Sequence, residues 1–145
     1  MLVAVDGSEN SDRALDFSLD LAEKYGVALT VLNVSQSPAM GAVPMEPTTI
    51  SADSMVVFSK GLQKIHEGVL SKAVAHAKSV KPGVAVLSLL REGDPAKEIV
   101  AVAKEGGFDV VVVGHRGSGR IREMFMGSVS EKVVHSATCS VVIVR

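Results

Sequence analysis

FDVVVVGHRGSGRIREMFMGSVS, residues 108–130, decides how the rest of the chain is read. Residues 110–113 are apolar without alternation, the pattern of a strand covered on both faces. The run stops at Gly114. Four glycines then fall within fourteen residues, with three arginines and a Met-Phe-Met triplet among them. From Ser128 the pattern turns helical. A strand, a glycine loop and a helix in that order resemble the turns that hold phosphate in α/β sheets. Two common phosphate patterns nevertheless fail here. GxxxxGK[ST] finds its glycines at Gly114 and Gly119, but Arg120 and Ile121 stand where Lys and Ser/Thr belong. GxGxxG needs the first strand and a third glycine, whereas Gly117 and Gly119 follow the fourth strand and lack one.

Working outward, strand-like and helix-like segments alternate along the chain. Residues 2–6 read as a strand that turns at Gly7. Residues 8–25 carry a helical stripe through Ala14, Phe17, Leu21 and Tyr25, and Gly26 is placed to stop it. Residues 27–34 read as the second strand. Residues 35–49 hold three prolines and one glycine and read as a long loop, a lid or binding segment. From residue 51 to about 80 the apolar positions recur every three or four residues, which predicts one long amphipathic helix. Gly61 and Gly68 weaken it, and a close backbone contact on one face would explain them. Residues 84–90 read as the third strand. Asp94 and Pro95 form a cap-plus-first-position signature for a helix to Glu105. The fourth strand, a helix over 128–136 and a fifth strand over 140–144 complete the order βαβαβαβαβ. Strands apolar on both faces predict an open, doubly wound parallel sheet with helices on both sides. Ligands of such sheets sit outside the carboxyl ends of the strands, where strand order reverses. That places the site at Asp6 and Gly7, at Val34 and Ser35, and from Gly114 onward.

The bulk composition narrows the function. The chain has 145 residues, 47% of them apolar, which suits one domain over 1–145 and disfavours disorder. A net charge of -1 disfavours nucleic acid as the main partner. One cysteine excludes an internal disulfide and suits a reducing, cytoplasmic setting. No run reaches the about 20 apolar residues of a membrane helix, and the N-terminus does not read as a signal peptide. The chain begins and ends in strands, so no tail is expected.

Individual residues each carry two readings. Gly127, Ser128, Val129 and Ser130 stand at a helix start, where free N–H groups and hydroxyls attract phosphate. Gly114, Gly117 and Gly127 would let the backbone approach a ligand. The plainer reading is that the glycines shape a turn and Ser128 caps the helix. Asp6 reads as a ligand-orienting or turn-stabilising carboxylate. A phosphoacceptor role is excluded by Arg91 and Glu92 after the third strand, where an acceptor Asp is needed. Arg116, Arg120 and Arg122 could pair with phosphates or lie solvated, and Met124, Phe125 and Met126 could anchor the loop or meet a partner. His66 and His76 read as surface residues of the long helix. His135 suits a helix C-terminus, and Cys139 reads as a small buried residue. No histidine pair has metal-ligand spacing. Residues 141–144 (Val141, Val142, Ile143 and Val144) carry no guard against edge pairing, so a second chain is expected over an edge strand there.

The spacing G-x2-G-x9-G-[ST], met by Gly114, Gly117, Gly127 and Ser128, resembles that of the ATP-binding universal stress protein family. VAVDGSENSDRAL near the start, FDVVVVGHRG and CSVVIV resemble the family's first, fourth and fifth strands. The resemblance implies a Rossmann-like parallel sheet of order 3-2-1-4-5 and a homodimer paired through the fifth strands. It places Ala4, Val5 and Asp6 near adenine and ribose, and Val34 beside the base with Val113 opposite. It places Gly114 and Gly117 by the ribose and Gly127, Ser128, Val129 and Ser130 at the phosphates. His115 and Arg116 fill its variable positions. The function implied is ATP binding in a regulatory or sensory module of little turnover, with Mg²⁺ able to arrive with ATP. A slow nucleotide hydrolase or nucleotidyl transferase, and a nucleotide-free dimeric scaffold, stand as alternatives.

Overall fold

The computed structural model describes residues 1–36, 52–117 and 126–145. The expectations for Arg120, Arg122, Met124, Phe125 and most of the 35–49 loop lie outside the described residues. The elements run β1 (Leu2–Ala4), α1 (Glu9–Tyr25), β2 (Leu29–Ser35), α2 (Ala52–Val80), β3 (Val86–Glu92), α3 (Pro95–Glu105), β4 (Val110–Gly114), α4 (Ser128–Ser136) and β5 (Ser140–Val144). All five strands are parallel, in the order β3-β2-β1-β4-β5, as expected.

Alternation along the strands builds two cores. Val3, Val31 and Val112 face one side, where they meet Ala14, Leu15, Leu19 and Ala22 of α1 and Leu70, Ala73 and Ala77 of α2. Leu2, Leu32, Val111 and Val113 face the other, against Ala96, Ile99, Val102 and Ala103 of α3 and Val133 of α4. Neighbouring β1 and β4 therefore send their following helices to opposite faces, and a crevice opens between their carboxyl ends.

Local chemistry sets the helix ends. Ser8 caps α1 by accepting from Ser11 N–H, and Gly26 closes it in the left-handed region at φ 65°. Asp94 Oδ1 accepts from Lys97 N–H at 3.1 Å, with Pro95 at the first turn of α3. The expected contact at Gly61 and Gly68 is not made. A Cβ at either meets nothing within 4 Å among the described residues, so there both lower the propensity of α2 with no packing in return. α1 and α2 are tied by His76 Nε2 to Asp16 Oδ1 at 2.6 Å, and by Lys81 to Asp20 and Glu23. Cys139 is half-buried rather than buried.

Replacing the cap, Asp94→Ala, is expected to cost about 1 kcal/mol. Thermal unfolding followed by circular dichroism should show it as a loss of about 2–4 °C.

Candidate functional site

Asp6 follows β1 with its side chain exposed, and its Oδ1 accepts from Ser8 N–H at 3.0 Å. That closes an Asx turn, so the turn-stabilising reading of Asp6 is met in the geometry. Gly7 takes φ 81°, and a Cβ there would lie 3.3 Å from Val69 of α2. The turn is thus pressed beneath α2. On its other side, Asp6 Oδ2 lies 2.5 Å from where a Cβ of Gly117 would stand. The turn after β1 and the loop after β4 therefore meet at Asp6.

Ala4, Val34 and Val113 share the α3–α4 side of the sheet at the crevice. Val5 does not join them, since its side chain is buried in the α1–α2 core. Its backbone N–H donates to Leu32 O and its O accepts from the Asn33 amide.

The three motif glycines are explained first by the protein's own packing. A Cβ at Gly114 would lie 2.8 Å from Asn10 O, in the first turn of α1. At Gly127 it would lie 3.2 Å from both Arg116 Cα and His115 O. Together with the Gly117–Asp6 approach, these contacts give the glycines a packing role beside the two readings expected of them, ligand approach and turn-shaping. Hydrogen bonds reinforce the junction. Gly127 N–H donates to His115 O at 2.9 Å, and Ser130 Oγ donates to Gly114 O at 2.7 Å. The segment leaving at His115 and Arg116 returns beside them at Gly127.

This stitching sorts the donors. Ser130 is buried and its hydroxyl proton is committed to Gly114 O, so only its N–H remains for an anion. Ser128 is not the helix cap. Gly127 holds that place, with φ -64° and ψ 145° and no side chain to donate or accept. The first intrahelical bond is Glu131 N–H to Gly127 O at 2.9 Å. The N–H groups of Ser128, Val129 and Ser130 therefore have no acceptor within α4 and sit at its positive dipole end.

His115 joins the loop to the edge of the sheet, its N–H donating to Val144 O at 2.6 Å. Burial pushes its imidazole below the usual 6.5, and Arg145 and Arg116 push it further. Two cationic side chains, Arg116 and Arg145, thus lie near His115 at the carboxyl ends of β4 and β5. Among the described residues no cluster of three or more His, Cys, Asp or Glu could hold a metal.

One contact was not foreseen. His66 is half-buried, with Nδ1 2.6 Å from Asn33 Oδ1, while Asn33 Nδ2 donates to Val5 O at 2.6 Å. The signal for it was Asn33 itself, a lone amide in an apolar strand that must find partners when buried.

Two outcomes follow from this geometry. Gly114→Ala meets rigid helix backbone and should lose about 1–3 kcal/mol in urea unfolding. Gly117→Ala meets only a carboxylate end and should lose less. The lowered His115 means that the unfolded chain binds the extra proton first as pH falls. Its contribution is complete above about pH 6.5 and is lost as pH drops through the lower folded-state value. Urea midpoints taken between about pH 7.5 and about pH 5 should therefore fall less steeply in His115→Gln than in wild type.

The family model for the universal stress protein family matches residues 1–145. The universal stress protein YxiE of Bacillus subtilis is 35% identical over 145 residues, covering 100% of this chain and 97% of the relative. Among solved structures, the universal stress protein UspA from Lactobacillus plantarum superposes with a TM-score of 0.82 at 22% identity, covering 99% of this chain and 95% of that one. A universal stress protein in complex with cAMP gives a TM-score of 0.68 at 25% identity, covering 100% and 97%. Fold, strand order and full-length similarity agree, and the chain belongs to the universal stress protein family.

Proposed function

We propose that this chain is a cytoplasmic nucleotide-binding module, taking ATP as a regulatory ligand with little turnover. The observation that carries the reading is the trio of N–H groups at Ser128, Val129 and Ser130, which have no acceptor within α4 and stand at a helix start joined to the carboxyl end of β4, where strand order reverses. The positive charge of Arg116 and Arg145 around His115 supports an anion there. Similarity to a universal stress protein crystallised with cAMP supports a nucleotide as its source. In this reading Ala4, Val34 and Val113 wall the nucleoside, and Asp6, Gly114 and Gly117 form the floor of the crevice. Gly127 through its lack of a side chain, and Ser128, Val129 and Ser130 through N–H groups, receive the phosphates. Mg²⁺ would arrive with ATP. The Asp6 carboxylate is tied into its own turn, which suits orientation of the ligand better than proton transfer. β5 is an edge strand, half-buried on both faces, and a second copy pairing along Val141, Val142, Ile143 and Val144 would complete it.

Calorimetry with ATP, ADP, AMP and cAMP at millimolar concentration tests binding, and no heat with any of them would sink the proposal. Ser128→Pro tests the phosphate placement. Proline is tolerated at the first helical position, and Gly127 already has the dihedrals a following proline needs. The substitution deletes one N–H while α4 persists. ATP affinity should fall about tenfold and adenosine affinity should hold. An unaltered ATP affinity places the phosphates elsewhere.

A further inference from the structure

Parallel pairing of β1 with β2 stops at Ala4 and Leu32. Val5 N–H still donates to Leu32 O at 2.9 Å. The ladder's next bond would run from Val34 N–H to Val5 O. Val5 O instead accepts from the Asn33 side chain, at 2.6 Å. Asn33 is 1% exposed, so the exchange takes place inside the protein. Its amide orientation is fixed by chemistry. A carbonyl only accepts, so Nδ2 must face Val5 O and Oδ1 must face His66. His66 Nδ1, 2.6 Å from Oδ1, must then carry a proton. The neutral ring is held as the Nδ1–H tautomer.

The pair lies beneath α2, on the α1–α2 face of the sheet, at the carboxyl ends of β1 and β2 and next in sequence to Val34 of the proposed nucleoside wall. α2 lies over the turn after β1, where Val69 approaches Gly7, and His66 is one helical turn before Val69. We propose that Asn33 and His66 are a positioning pair that keeps the carboxyl ends of β1 and β2 parted for the ligand. Asn33 takes the carbonyl that would otherwise zip the strands, and His66 holds Asn33 in that role. The inference rests on the nucleotide reading above, which supplies the ligand.

Long-range ¹H–¹⁵N spectra of the free wild-type chain should show His66 as the Nδ1–H tautomer, and an Nε2–H signal overturns the pair. Asn33→Leu preserves size and removes both bonds. It should stay folded by circular dichroism and bind AMP at least about tenfold more weakly in calorimetry. His66→Phe should weaken AMP binding in the same direction, and it stands in if Asn33→Leu fails to fold. His66→Asn, which keeps a donor nitrogen at the place of Nδ1, should restore binding to near wild type. Wild-type AMP affinity in folded Asn33→Leu or His66→Phe overturns the positioning role and leaves the nucleotide reading standing. A wild-type chain that binds no nucleotide overturns both, whatever tautomer His66 shows.

Discussion

The junction between the end of β4 and the start of α4 constrains everything else at the site. Gly114 gives its carbonyl to the Ser130 hydroxyl, and its Cα lies against the backbone of Asn10 in α1. Gly127 closes the same junction onto His115 O. Two helices on opposite faces of the sheet are thereby brought to one strand end. The geometry demands a residue without Cβ at Gly114, whatever ligand is present. Once that contact is made, the α4 start and its first N–H groups are held at the carboxyl end of β4.

The fold was legible because nearly every signal was local. Apolar runs, helical spacing, and caps such as Asp94 with Pro95 and Gly26 depend on neighbours within a few residues, and the elements lie within about two residues of expectation. Strand order came from resemblance, since periodicity alone does not order parallel strands. At the site, the motif glycines were found at the right positions but explained by half their cause. Their partners, Asn10 and Asp6, are more than a hundred residues away in sequence. His66 was misread for the same reason. A histidine on a helix looks solvated until the strand beneath it presents a buried amide. The plainer alternative for Ser128, that it caps the helix, fails because the contact with His115 and Arg116 reserves that place for Gly127.

Charge shows a similar separation between the whole and the part. The net charge of -1 argues against a polyanion spread over the surface. Locally, Arg116 and Arg145 lie near His115 with a helix start alongside, and the Asp6 carboxylate faces the same loop. A compact anion senses the local field over roughly a Debye length, about 8 Å at physiological salt, rather than the sum.

α2 has 29 residues and spans ~44 Å, while the seven residues of β2 span ~23 Å. Its buried apolar anchors among the described residues, Leu70, Ala73 and Ala77, all lie in its second half. Anchored in this way, the second half should exchange its amide hydrogens only when the sheet itself opens. The half of the helix that is bound into the core is also the half that carries Val69 over the turn at Gly7, so the core and the rim of the site share one rigid support.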